Sequence, residues 1–268
     1  MNAAFLQFNP EYLAVEANLD QVDAHLSDTD ADLIVLPELF TSGYFFRSTQ
    51  DAERIAEPIP NGRTTRRLVS WSAQTGATIV AGLAEREGDT LYNSAVVTDP
   101  SGVISHYRKV HLYYQETQHF ATGDLGFPVV EAKTRSGVSY RLGVMVCFDW
   151  YFPEAARSLA LQGADIIAHP SNLVRPDCPR AMPIRALENH VFTITANRYG
   201  HESNEGEELT FIGQSEICDP SGEILMRADK KGDTFGQVPV DPRAARDRQI
   251  TDHNHLFNDR HPDAYRLS

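Results

Sequence analysis

The chain is short of cysteine and of positive charge, and both shortages narrow what it can be. Three cysteines in 268 residues, an odd number with no regular spacing, argue against a disulfide framework or a CxxC-type zinc site. Twenty-four Lys and Arg against 37 Asp and Glu leave a formal charge of -13. No Lys/Arg cluster offsets it locally, so nucleic acid phosphates and anionic lipid are repelled. No window approaches the roughly 20 apolar residues of a membrane helix. The N-terminus, Met1 to Phe8, has no basic segment leading into an apolar one, so secretion is not expected either. A Walker loop, a GxGxxG fingerprint, a GxSxG elbow and an HExxH helix are all missing, which removes several enzyme classes. A protein of the reducing cytoplasm fits these absences.

What is present is ample apolar material, 41% of residues, and a regular order of segments. There is no low-complexity tract or Gly/Pro/Ser-rich linker, so residues 1–268 read as one domain. Residues 243–268, rich in His, Asp and Arg, read as a C-terminal arm lying over that domain or over a partner subunit. Strands are expected at 2–8, 32–37, 78–84, 91–98 and 103–108, with helices at 11–27 and 64–75. The apolar stripe of the first helix is Val15, Leu19, Val22 and Leu26, and Gly76 closes the second. The second half offers a strand running to Cys147, a helix at 153–163, a strand at 165–168, a helix at 180–190 and a strand at 192–196. The turn Asp99-Pro100-Ser101-Gly102 recurs as Asp219-Pro220-Ser221-Gly222, each between two strands. Two such halves could form two mixed sheets packed face to face with helices outside. Chance repetition of a common turn is the alternative.

Cys147 sits where the apolar run Leu142 to Val146 meets a helix start at Pro153-Glu154. A strand, a sharp turn and a helix in succession lift a side chain to the carboxyl edge of a sheet, near unpaired N–H groups that favour thiolate over thiol. A thiol filling space in the core is the alternative. Cys178, in a Pro-rich loop, and Cys218, before a turn, lack that setting. Glu38 follows the apolar strand 32–37 and a proline, and would reach the same edge, unless it is only a surface or capping carboxylate. Lys109 ends another strand, where a solvated lysine guarding a sheet edge is also common. Glu116 begins a long loop running to about residue 126. His169 could in principle pair with the thiol. His106, His111 and His119 match no metal-ligand spacing.

Leu36-Pro37-Glu38, Tyr107 to Leu112 and Val146 to Glu154, in this order, resemble the carbon-nitrogen hydrolase, or nitrilase, superfamily. Leu91-Tyr92-Asn93-Ser94-Ala95, Gly123-Asp124 and Arg185 to Asn189 extend the resemblance over nearly the whole chain. It is nearest to small single-domain nitrilases and amidases of aliphatic substrates. The resemblance implies a four-layer α-β-β-α sandwich with an internal pseudo-repeat, working as a homodimer or higher homo-oligomer. It implies Cys147 as nucleophile, Glu38 as general base, Lys109 as the cation that steadies the tetrahedral intermediate, and Glu116 as a second glutamate positioning substrate and base. The Phe148 N–H would complete an oxyanion hole. Tyr44, Tyr113, Trp150 and Asn172 flank these motifs as candidates for the substrate pocket, though ordinary packing explains each equally well. No metal or organic cofactor is required. An amide is the leading substrate, a short nitrile the second, and a carbamoyl compound the third, with Arg175 as its only obvious clamp; an inactive binding protein is the alternative from another class, against which the intact Glu38, Lys109 and Cys147 set argues.

Overall fold

Side chains of a strand point alternately to two faces, and in the central strands of this protein both faces are apolar. The computed structural model describes residues 1–265, so the last three residues of the expected 243–268 arm lie outside the described residues. In the first half the elements are β1 (Asn2–Gln7), α1 (Val15–Leu26), β2 (Leu33–Val35), α2 (Thr49–Ile55), α3 (Arg63–Thr75), β3 (Thr78–Glu87), β4 (Thr90–Asp99) and β5 (Gly102–Arg108). The second half begins with β6 (Val129–Lys133), β7 (Ser139–Val144), α4 (Pro153–Leu161), β8 (Ile166–Pro170), α5 (Cys178–Asn189) and β9 (Phe192–Ala196). It continues with β10 (Tyr199–Asn204), β11 (Glu207–Ile212), β12 (Glu216–Cys218), β13 (Ile224–Arg227) and β14 (Thr234–Pro239).

Alternation decides the layers. Ala3, Phe5, Leu33, Val35 and Val80 face inward and share one core with Leu142, Val144, Ile166 and Ile194 of the other sheet. Their neighbours Ala4, Leu6, Ile34, Ile79 and Ala81 face outward and pack on Val15, Leu19, Val22 and Leu26 of α1 and Leu68 and Trp71 of α3. Ala155, Ala156, Leu159 and Ala160 of α4 and Met182 of α5 cover the second sheet. The result is the four-layer α-β-β-α sandwich.

The two sheets repeat one plan. In the order β14-β1-β2-β3-β4-β5 the pairings run antiparallel, parallel, parallel, antiparallel, antiparallel. In the order β6-β7-β8-β9-β12-β13 they run the same way. The duplicated turns close equivalent hairpins. Asp99 Oδ1 accepts from the Ser101 N–H at 2.7 Å, and Asp219 Oδ1 accepts from the Ser221 N–H at 2.9 Å.

Several elements depart from the sequence pattern, each for a local reason. The first helix starts at Val15 rather than near 11, because the buried Asn18 side chain bonds both the N–H and the carbonyl of Glu11 and holds that segment as a loop. Helix α2 is short and lacks an apolar stripe, and Ser48 caps it by accepting from the Asp51 N–H. Strands β6 and β14 are sheet edges, and the β10–β11 hairpin stands apart as its own two-stranded sheet. Polar residues suit strands with water on one side, so their hydrophobic period is weak. Residues after β14 fold back on the chain itself: Arg246 pairs with the buried Asp165, and Arg157 and Arg248 lie over the Phe257 ring. Among the described residues, no helix is long and apolar enough to cross a membrane.

Candidate active site

Glu38, Lys109 and Cys147 follow β2, β5 and β7, and the packing of the two sheets brings these three strand ends together. Glu38 and Lys109 are wholly buried, so neither is a surface carboxylate or a solvated edge lysine. Glu116 joins them from a short 3-10 helix, Tyr114–Gln118. Lys109 Nζ donates to Glu38 Oε1 and to Glu116 Oε1, both at 2.7 Å. Glu116 Oε1 also accepts from the Tyr44 hydroxyl at 2.6 Å. Close approach is essential here: a Cβ on Gly82 of β3 would fall 2.5 Å from Glu38 Cα, a contact that backbone atoms cannot relieve cheaply.

Cys147 occupies a sharp turn, as its surroundings in the sequence suggest. Its φ is +42°, in the left-handed region that a non-glycine residue enters only where surrounding structure imposes it. Asp149 supplies that constraint. Its carboxylate accepts from the Val146 N–H and the Tyr107 hydroxyl, both at 2.8 Å, and lies 2.8 Å from His111 Nδ1. The turn is thereby tied to the segment that carries Lys109. Sequence reasoning passed over Asp149, although a charged residue two positions after a buried thiol was a usable signal.

The charge state of the thiol differs from the sequence-based expectation. Helix α4 begins only at Pro153, and Cys147 instead opens a five-residue 3-10 helix, Cys147–Tyr151. Burial pushes the thiol well above its ordinary range, and the nearby Glu38 carboxylate pushes it further, while Lys109 opposes them. The resting group is therefore a thiol. Burial likewise raises Glu116, with Lys109 opposing and Glu38 adding, so that its carboxyl stands at about 7. For Lys109 burial favours the neutral amine, but the Glu116 and Glu38 carboxylates outweigh it and hold the ammonium charged.

His169 does not meet the thiol. Its Nε2 lies 2.9 Å from the Cys147 carbonyl oxygen and its Nδ1 3.0 Å from Thr195 Oγ1, and burial lowers it to about 4, so a Cys/His dyad is not formed. Cys178 and Cys218 are also buried, at the start of α5 and in β12. Among the described residues no group of three or more His, Cys, Asp or Glu is placed to hold a metal ion.

A cavity of about 20 Å3 opens at Cys147, lined by Tyr113, Phe148, Trp150, Asn172, Leu173, Val174 and Arg175. That is room for a water-sized group. Tyr113, Trp150 and Asn172 thus reach the cavity, while Tyr44 stands behind it on Glu116. Asn172 Nδ2 donates to the Glu38 carbonyl at 2.8 Å, and its buried Oδ1 has no partner among the described residues. Arg175 is more than half exposed and pairs with Asp177. Glu202, which sequence reasoning did not single out, accepts from the Tyr44 and Phe45 N–H groups at 3.0 and 2.6 Å and so fixes the loop that presents Tyr44. A larger cavity, about 410 Å3, lies at the opposite end of β7 beside Arg141, Asp165, Arg246 and Arg248 and touches none of these groups.

Residues 2–249 match the family described as carbon-nitrogen hydrolase. A protein of Pyrococcus abyssi named nitrilase is 46% identical over 268 residues, covering 99% of each chain. The N-carbamoylputrescine amidase of Arabidopsis thaliana is 33% identical over 88% of this chain and 84% of its own. Among solved structures, a mutant of the amidase from Nesterenkonia sp. AN1, with the acetamide moiety of fluoroacetamide added covalently at its active site cysteine, superposes with a TM-score of 0.75. It is 27% identical, over 93% of this chain and 94% of that one.

Proposed function

The chain belongs to the carbon-nitrogen hydrolase family, and on that premise we propose that it hydrolyses a small aliphatic amide to a carboxylate and ammonia through a thioester on Cys147. The observation that carries this reading is a single unsatisfied oxygen. Of the four carboxylate oxygens in the cluster, both of Glu116 and one of Glu38 accept hydrogen bonds, and Glu38 Oε2 is buried without a partner among the described residues. A buried unpartnered carboxylate oxygen is a strong proton acceptor.

Cys147 Sγ attacks the carbonyl carbon while its proton passes to Glu38 Oε2. The C–S bond forms and the carbonyl π pair moves to oxygen. Lys109 spends two of its three N–H donors on carboxylates, and the third, with the Phe148 N–H in the first turn after the nucleophile, serves the oxyanion. The tetrahedral adduct collapses, the C–N bond breaks, and ammonia leaves with the proton from Glu38. Water then attacks the thioester, giving its proton to Glu38, and the C–S bond breaks to return carboxylic acid and thiol. Glu116 keeps Lys109 in place and faces the substrate. A nitrile would form a thioimidate at the first step.

Amide is favoured over nitrile by Asn172, which lines the cavity and whose buried Oδ1, without a partner among the described residues, could accept an N–H that an amide has and a nitrile lacks. A site built around a hydrogen bond rejects the analogue without it. The experiment is a panel of amides, nitriles and carbamoyl compounds with short, matched acyl chains, followed by ammonia release and by intact mass for an acyl adduct. The amide of each pair is expected to lead in kcat/KM by at least about tenfold. A nitrile leading throughout the panel would instead favour the nitrilase reading that the name of the Pyrococcus abyssi relative suggests.

The chain is also proposed to act as a homodimer in the cytoplasm. Leu161 of α4, Ile184 and Leu187 of α5, and Ile224 and Leu225 of β13 are each at least 41% exposed, an apolar set on the outer layer of the second sheet. Sedimentation should show at least a dimer, and Leu187→Glu or Ile184→Glu should shift it toward monomer. A wild-type monomer at micromolar concentration contradicts the assembly. The three cysteines are all free, which suits a reducing compartment.

A further inference from the structure

Asn93 touches more of the cluster than any residue discussed so far except Lys109, yet it cannot carry a charge. It lies on β4, wholly buried, opposite Ala84 of β3. Its Nδ2 donates to Glu38 Oε1 at 2.7 Å and to Glu116 Oε2 at 3.3 Å. Its backbone carbonyl accepts the Lys109 N–H at 2.8 Å. One residue therefore bonds both carboxylates and fixes the backbone of the cation between them.

We propose that Asn93 is a positioning residue that holds both glutamates around a single ammonium and directs the proton of the nucleophile to Glu38 Oε2. The inference rests on Glu38 being the base. Two carboxylates sharing one Lys carry a net negative charge in a dry site, and such a pair tends to keep a proton. A second cation would relieve that tendency but would also cancel the basicity the reaction needs. A neutral amide with two N–H donors stabilises the ionised form of each carboxylate without adding charge. Because Lys109 and Asn93 both bond Glu38 Oε1, that oxygen is saturated and Oε2 is left free to accept.

The test is the acid limb of the kcat/KM against pH profile, measured on wild type and on Asn93→Ser, Asn93→Leu and Asn93→Asp. Serine keeps one donor, leucine none, and aspartate replaces the donor with a third carboxyl. Losing donors to a carboxylate favours its protonated form, so the limb should move to higher pH, least for serine and by about one unit or more for leucine and aspartate. On the sloping part of the limb activity should fall by up to about tenfold for a one-unit shift and recover at higher pH, with KM little changed. Melting temperatures identify which variants are folded, and serine, the mildest change, decides the matter if the others are not. Folded variants whose limb stays with wild type, or whose activity drops equally at every pH, overturn the proposal. Failure of the underlying reading is separable, because it appears as turnover retained by Glu38→Gln in a chain with Asn93 intact.

Discussion

Cys147→Ala lowers amide turnover by at least about 10^4-fold, the scale seen when a nucleophile is removed from a covalent mechanism, and leaves the fold unchanged. No other group can substitute. Cys178 and Cys218 are buried at the start of α5 and in β12 and do not line the cavity at Cys147, and His169 bonds the carbonyl of residue 147 rather than anything in the cavity. The left-handed backbone at Cys147 is imposed by Asp149 and its partners, none of which touches the Sγ atom, so alanine inherits the same turn. Cys147→Ser is expected to be nearly as inactive. A hydroxyl is far less acidic than a thiol, and Glu38 would have to take a proton from a poorer donor. Ammonia release gives the rate, and acid-quenched intact mass gives the intermediate: wild type should carry one acyl group and Cys147→Ala none. An acyl adduct on the alanine variant, or turnover within tenfold of wild type, would remove Cys147 from the mechanism.

Glu38→Gln removes the only free carboxylate oxygen of the cluster and should reduce kcat by about 10^2 to 10^4-fold, the range for loss of general acid-base catalysis. The substitution also has an opposite effect on the thiol. Burial remains the main influence on Cys147, but the Glu38 carboxylate is the next one raising it and Lys109 opposes both. Without Glu38 the balance moves toward thiolate, so alkylation of Cys147 by a small haloacetamide should begin at lower pH than in wild type even as hydrolysis fails. Glu116 responds in the same direction. It stands at about 7 partly because of Glu38, so residual activity should show its acid limb at lower pH. Attack without a base to protonate ammonia or activate water leaves the enzyme unable to complete the cycle. Near-native turnover in Glu38→Gln would show that the proton goes elsewhere. Unchanged alkylation would show that Glu38 and the thiol are not electrostatically linked.

The layered fold was legible because burial on both faces leaves a local trace. Leu33 to Val35, Ile79 to Ala81 and Ile166 to Ala168 are unbroken apolar runs, and α1 and α3 carry one apolar stripe each. The duplicated Asp-Pro-Ser-Gly turn correctly marked two hairpins at equivalent places in the two sheets, since an Asp side chain bonding two residues ahead needs no tertiary partner. Strands β6 and β14 and the β10–β11 hairpin were not legible, because polar residues on a water-facing side leave only a weak hydrophobic period; β14 moreover pairs with β1 from the far end of the chain, Asn2 opposite Pro239.

For the candidate site, the amino-acid sequence by itself determined which side chains stand at strand ends, since a proline after an apolar run or a helix start after one is a local event. It could not determine their state. Whether Glu38 and Lys109 are solvated or buried, whether the thiol rests protonated, and that Asn93 links two glutamates while Asn172 keeps an oxygen free all depend on contacts between residues far apart in the chain. Lys109 and Glu38 are 71 positions apart, and Asn172 and Glu38 are 134. Sheet packing brings such groups within hydrogen-bond range and takes the water away. In that dry space a distance of 2.7 Å and one unpaired oxygen decide where a proton resides.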